Sequence, residues 1–219
     1  MIKVVTWFRR KPGMSVEDFG RYWREQHPKA VLQLPGLRKY VQNHVLAGQY
    51  DKGRQPYADG VAETWWDDRA ALRAHRDTPA LANLLADEQV FMDLEHRDSI
   101  VAEEVVVING AIPPGGGAKI ITWLTRRPDL DLAAAQRYWR TDHANVASHM
   151  AGIDRYVQNH ARPGGAEYPI MGLPMVWFES AAALRANATS AELAATRADE
   201  PNFLGPDLPF VLVREEHII

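Results

Sequence analysis

The chain has 219 residues, enough for one large domain or two of about 100 residues each. A formal charge of −3 gives no electrostatic reason to bind nucleic acid or an anionic membrane, and the lack of cysteine excludes disulfides, thiolate nucleophiles and Cys-based metal sites. No apolar run is long enough to span a bilayer and the opening MIKVVTWFRRKPG has no signal-peptide core, so a cytoplasmic location is expected.

Residues 2–8 are apolar and β-branched, which predicts a strand. Ser15 followed by Asp18 resembles a capping box and predicts a helix start. Val16, Phe19, Trp23, His27, Ala30 and Leu34 follow at helical spacing, and Pro35-Gly36 ends that run. Strands are expected at 37–46 and 60–66 with a Gly/Pro loop at 47–58 between them. Two short helices at 68–76 and 79–90 and a strand at 99–108 complete the series. The Pro-Pro and Gly-Gly-Gly of NGAIPPGGGA, at 109–118, cannot continue a helix or a central strand and read as a linker.

After the linker the series begins again. With Lys3 laid over Lys119, residues 3–44 cover 119–160 without a gap, sharing TW, RYWR, a following His and all of YVQNH. The second copy then loses four residues, and GVAETWWDDRAAL lies over GLPMVWFESAAAL; Asp87 and Glu88 lie over Asp199 and Glu200. The expected organisation is a first repeat at 1–108, the linker at 109–118 and a second repeat at 119–219. The order β-α-β-β-α-β is that of a ferredoxin-like unit, whose sheet carries helices on one side only. The bare face must be covered, so the expected fold is α+β: two such units packed sheet to sheet as an intramolecular α+β barrel.

The tryptophan of the first strand, RYWR…H on the helix, GLRKYVQNH, and a DG before a strand ending in WWDD resemble the EthD-like family of dimeric α+β barrel proteins, across nearly the whole chain and in both copies. The resemblance implies a tandem fusion, in which one chain makes the barrel that relatives make as homodimers; further homodimerisation stays open. It also implies an association with oxidative ether degradation or with tailoring of aromatic polyketides. Related barrel families include lactone isomerases, cofactor-free monooxygenases and polyketide cyclases, so activity must come from the site.

His27 and His143 lie on the buried stripe of their helices, one turn after Trp23 and Trp139, and are candidate general bases; the alternative is a histidine tying helix to sheet. On the second strand Tyr40, Gln42 and His44 share one face and Asn43 the other, and a hydrogen-bonded seam between the two sheets competes with a substrate-binding role. Asp59 and Glu63 lie over Met171 and Met175, so only the first copy keeps these carboxylates beside its histidine. That asymmetry points to the first copy as the working site. Arg24 and Arg140 would pair with carboxylates or hold an anionic group.

The sequence carries no GxGxxG after a strand, no P-loop, no GxSxG and no HExxH, and no metal or cofactor is expected. The resulting expectation is a cofactor-independent lyase, isomerase or cyclase acting on a small cyclic or aromatic carbonyl compound. His27, Asp59 and His143 would be catalytic; Tyr40, Asn43, His44, Glu63, Trp23 and Trp65 would bind substrate. An oxidoreductase, cofactor-free or haem-linked, and a non-catalytic binder of hydrophobic metabolites are the alternatives.

Overall fold

The computed structural model describes residues 1–162 and 169–219. The first repeat runs β1 (Ile2–Arg10), α1 (Val16–Glu25), α2 (Pro28–Val31), β2 (Leu37–Val45), β3 (Gly60–Trp66), α3 (Arg69–Arg73), α4 (Pro79–Phe91) and β4 (Met92–Asn109). The second runs β5 (Ala118–Thr122), β6 (Leu124–Thr125), α5 (Leu132–Tyr138), α6 (Ala144–Ala147), β7 (Ile153–Ala161), β8 (Ile170–Phe178), α7 (Ala181–Asn187), α8 (Ala191–Asp199) and β9 (Phe210–His217). The fold class is therefore α+β, with the ferredoxin-like order present twice. Among the described residues no helix is long and apolar enough to cross a membrane.

Local signals explain most boundaries. The Ser15 hydroxyl accepts from the Asp18 N–H and caps α1. Pro28 has no N–H for an intrahelical bond, so the predicted single helix splits into α1 and α2. In the second repeat the same stretch stays continuous through a π-helical turn at Trp139–His143, which carries both the tryptophan and the histidine of the motif.

The compact units are not the sequence repeats. One comprises Met1–Val101 with Glu215–Ile219, the other Ala102–Arg214. The strand order is β5-β9-β2-β3-β1-β4-β7-β8-β6, and β5 also pairs with β8. Within the first unit β3 lies between β1 and β2, with Thr64 opposite both Val4 and Tyr40. Within the second, Ala102–Asn109 of β4 pair with β7, β7 with β8, β8 with β5, and β5 with β9. Strand β4 is thus much longer than the sequence suggests: it begins at Met92 and its far end belongs to the second unit.

Each unit buries an aromatic cluster under its first helix. In the first, Phe8, Phe19, Trp23, Phe91 and Met92 pack together, with the Phe8 and Trp23 rings edge to face at 5.0 Å. Burial of each such ring contributes about 1.5–3 kcal/mol. Gly60 and Gly172 sit where a Cβ would lie 2.7 Å from the Trp23 ring and 2.4 Å from the Trp139 ring, which accounts for the glycine at this place in both copies.

The repeated YVQNH segment joins helix to sheet. Trp23 Nε1 donates to the Tyr40 hydroxyl at 3.1 Å, and Gln42 Nε2 donates to the Trp23 carbonyl at 2.7 Å and to Tyr40 at 2.9 Å. The His44 ring lies 4.3 Å from that of Trp23, and its Nε2 meets Gln42 Oε1 at 2.9 Å. Trp139, Tyr156, Gln158 and His160 repeat the arrangement. The expectation of a seam between sheets is corrected: Tyr, Gln and His point to the helices, because that is where the tryptophan's N–H and carbonyl need partners.

His160 gives this seam a pH dependence. Burial, with Arg140 nearby, pushes its imidazole down to about 3, and its Nδ1 is buried without a partner. Burial also lowers His143, against the opposing pull of Asp199. Both take up a proton more readily in the unfolded chain, near their ordinary value of 6.5, than in the folded one. Their contribution to stability is therefore present above pH 6.5 and is lost as pH falls below it. Melting temperature should drop between about pH 7 and pH 5. The drop should be shallower in His160→Phe, whatever that variant's melting point at pH 8; calorimetric scans giving parallel curves would contradict this.

Candidate active site

Both motif histidines are buried, and each meets a carboxylate. His27 Nδ1 lies 2.6 Å from Asp87 Oδ2, and His143 Nδ1 lies 2.8 Å from Asp199 Oδ2. The other oxygen of each aspartate accepts from a tyrosine five residues before the motif's histidine, Tyr22 or Tyr138, at 2.7 Å in both copies. Burial raises both carboxyls, but the bonds from histidine and tyrosine outweigh it and hold Asp87 and Asp199 below the usual carboxylate range. An ionised aspartate accepts, so the histidine donates from Nδ1 and keeps Nε2 as a lone-pair base. The sequence signal for this pair was the alignment of Asp87 with Asp199; the chain spacing from the histidines, 60 and 56 residues, hid its purpose.

Asp59 and Glu63, the expected partners, are committed elsewhere. Asp59 is 1% exposed, is ion-paired with Arg10, and accepts from the Arg10 N–H at 2.9 Å, Tyr50 at 2.8 Å and Gln55 at 3.1 Å. Glu63 meets Lys3 Nζ at 2.6 Å and accepts from Asn43 Nδ2 at 2.8 Å. Asn43 also donates to the Val61 carbonyl, on the face of β2 opposite Tyr40, so these two do not converge on one ligand. Trp65 lies between the ammonium groups of Lys3 and Lys39, each 4.6 Å from its ring. Trp23 and His44 belong to the helix–sheet seam. Arg24 and Arg140 pair with carboxylates, Glu216 at 2.8 Å and Glu103 at 3.2 Å.

The second repeat contains a cavity of about 340 Å³. It lies between the π-helical turn with α6–α8 and the sheet, and its walls include Trp139, His143, Tyr156, Pro174, Val176 and Phe178. The asymmetry expected from Asp59 and Glu63 is thus replaced by another. The equivalent positions in the first repeat carry Val31, Trp66 and Leu84 where the second carries Ala147, Phe178 and Thr196. Val31, Leu34, Tyr40, Trp66 and Leu84 form one buried cluster; Ala147, Tyr156, Val176 and Phe178 form its counterpart with less side-chain bulk, and the cavity beside His143 is lined by them. Pro174 adds to the opening. It stands opposite Gln158 in β8, where the first repeat has Ala62, and offers no N–H to the ladder. The strand beside it is broken into β5 and β6, whereas β1 runs unbroken.

Polar groups on the cavity wall are few. The Tyr156 hydroxyl accepts from Trp139 and Gln158, so its own proton is free to donate, and burial pushes its pKa up to about 12. Asn187 accepts from Ser190 at 3.2 Å and presents its amide. Burial raises the Glu200 carboxyl, against Arg197. A base, neutral donors and a carboxyl that holds its proton more tightly than usual therefore share one apolar chamber. Among the described residues no group of three or more His, Asp or Glu side chains is placed to hold a metal ion.

Refilling the chamber tests its origin. Ala147→Val, Phe178→Trp and Thr196→Leu should each stabilise the protein by about 0.5–2 kcal/mol, and together they should abolish ligand uptake. Denaturant midpoints that fall with each substitution would mean that the space is already taken up by side-chain motion.

The EthD domain profile matches residues 11–95 and 127–207, one match in each repeat. None of the curated proteins compared with the chain matches it. Among solved structures, a Fusobacterium nucleatum protein named as a monooxygenase is similar over 99% of this chain and 93% of its own, with TM-score 0.63 and 8% identity. An anthrone oxidase-like protein is similar over 99% and 92%, with TM-score 0.62 and 10% identity. A chlorite dismutase variant from Candidatus Nitrospira defluvii is similar over 97% and 90%, with TM-score 0.53 and 10% identity. At such identities the likeness is one of fold.

Proposed function

We propose that this chain, which belongs to the EthD family, is an enzyme that removes a proton next to the carbonyl of a small cyclic or aromatic compound held in the cavity of its second repeat. The observation that carries this reading is His143: a buried imidazole, oriented by Asp199, lining an apolar chamber. His143 Nε2 takes the proton. Asp199 keeps the ring in the right tautomer and stabilises the imidazolium as it forms. The Tyr156 hydroxyl, with the Asn187 amide, donates to the substrate oxygen as enolate charge develops there. His143 then returns the proton to the product, which restores the neutral base.

Reprotonation at a different atom makes the reaction an isomerisation or cyclisation. Transfer of an electron from the enolate to dioxygen would make it an oxidation, and the monooxygenase and oxidase names of the structural neighbours favour keeping that second fate open. Exchange of the carbon-bound proton for deuterium, followed by NMR in heavy water with a panel of cyclic ketones, anthrones and lactones, tests the shared step. Exchange above the buffer rate in wild type and its loss in His143→Ala supports it. Binding without exchange across the panel would leave a hydrophobic-metabolite carrier. Comparison of turnover under argon and air separates the two fates.

A further inference from the structure

Two arginines stand at the entrance to the cavity. Arg185 on α7 and Arg197 on α8 both line it and are both exposed, which places them where it meets solvent. Among the described residues neither arginine has a carboxylate at ion-pair distance, though Arg197 lies near enough to Glu200 to pull the glutamate's pKa down.

A basic residue in the last turn of a helix is already favourable for the helix dipole, and Arg73 occupies the place of Arg185 in the first repeat. Arg197 likewise stands in the last turn of α8, but no arginine occupies this place in the first repeat. Its counterpart in the first repeat is Leu85. An arginine has replaced a leucine where three other residues have shrunk. Among the described residues, Glu200 is the one carboxyl on the cavity wall, against two guanidinium groups.

We propose that the ligand of this cavity is an amphiphilic acid, with its cyclic or aromatic body inside and its carboxylate at the mouth between Arg185 and Arg197. This rests on the reading of the cavity as the substrate site and narrows the substrate class to ring compounds bearing an anionic group. Guanidinium groups suit a carboxylate because their planar fork can donate two parallel hydrogen bonds.

Calorimetric titration of the full chain with naphthoate and with naphthamide tests this. The two probes share a ring system and differ in charge. Naphthoate should bind about fivefold or more tightly than the amide at low salt, and the advantage should shrink as salt screens the mouth. Arg197→Leu should remove most of the advantage and Arg185→Gln part of it, with naphthamide affinity unchanged in both. Equal binding of the two probes by wild type, or an Arg197→Leu variant that still prefers naphthoate, would overturn the anion site and leave the cavity reading intact. Failure of both probes to bind would overturn the two together.

Discussion

His143→Ala should lower turnover by a factor on the order of 10²–10⁴, the range that a positioned general base contributes. Asp199→Asn should lower it less and distort the pH–rate profile, because an amide can present its N–H to Nδ1 and reverse the tautomer. The first-repeat variants give the contrast. His27→Ala and Asp59→Asn should retain wild-type turnover, since the proposed site lies in the second repeat and Asp59 belongs to Arg10, Tyr50 and Gln55. Asp59→Asn should still reduce stability by on the order of 2 kcal/mol, the scale of hydrogen bonds to a buried charge. Assays and melts of the four variants in parallel decide the assignment. Matching losses in His27→Ala and His143→Ala would return the chemistry to both repeats, and full activity in His143→Ala would end the general-base role.

Separating the repeats should abolish folding of each as a monomer. A cut at Gly115–Gly117 divides the sequence at the linker, but the compact units are divided elsewhere. A chain of residues 1–108 lacks Glu215–Ile219, whose Ile218 N–H donates to the Tyr40 carbonyl at 2.9 Å. The same chain carries Ala102–Asn109 with no β7 to pair with. Unpaired strand ends and a wet apolar face exceed the small surplus stability of about 5–15 kcal/mol that a domain has. Size-exclusion chromatography and melting of residues 1–108 should therefore show aggregate, unfolded chain, or a homodimer in which each copy supplies the missing strand end to the other. A soluble monomer with a cooperative melt would show that the exchanged ends are dispensable.

Periodicity and duplication determined a good deal without coordinates. Two copies of one unit, the order of strands and helices, and the burial of His27 and His143 all follow from patterns that repeat at 3.6 or 2 residues, or at a fixed offset. Local rules also placed the Ser15 cap, whereas the helical run ends at Val31 rather than at the expected Pro35-Gly36. Three things were settled only by the tertiary structure. The carboxylate of each histidine comes from a helix some sixty residues away, and sequence distance carries no information about contacts between packed helices. The polar face of YVQNH turns to the helices, because alternation in a strand says which residues share a face but not which layer that face meets. Finally, the difference between Trp66, Val31 and Leu84 and their smaller counterparts reads in sequence as ordinary drift between core residues. Whether such losses collapse or remain open depends on how the surrounding side chains close in, and around His143 they leave a chamber.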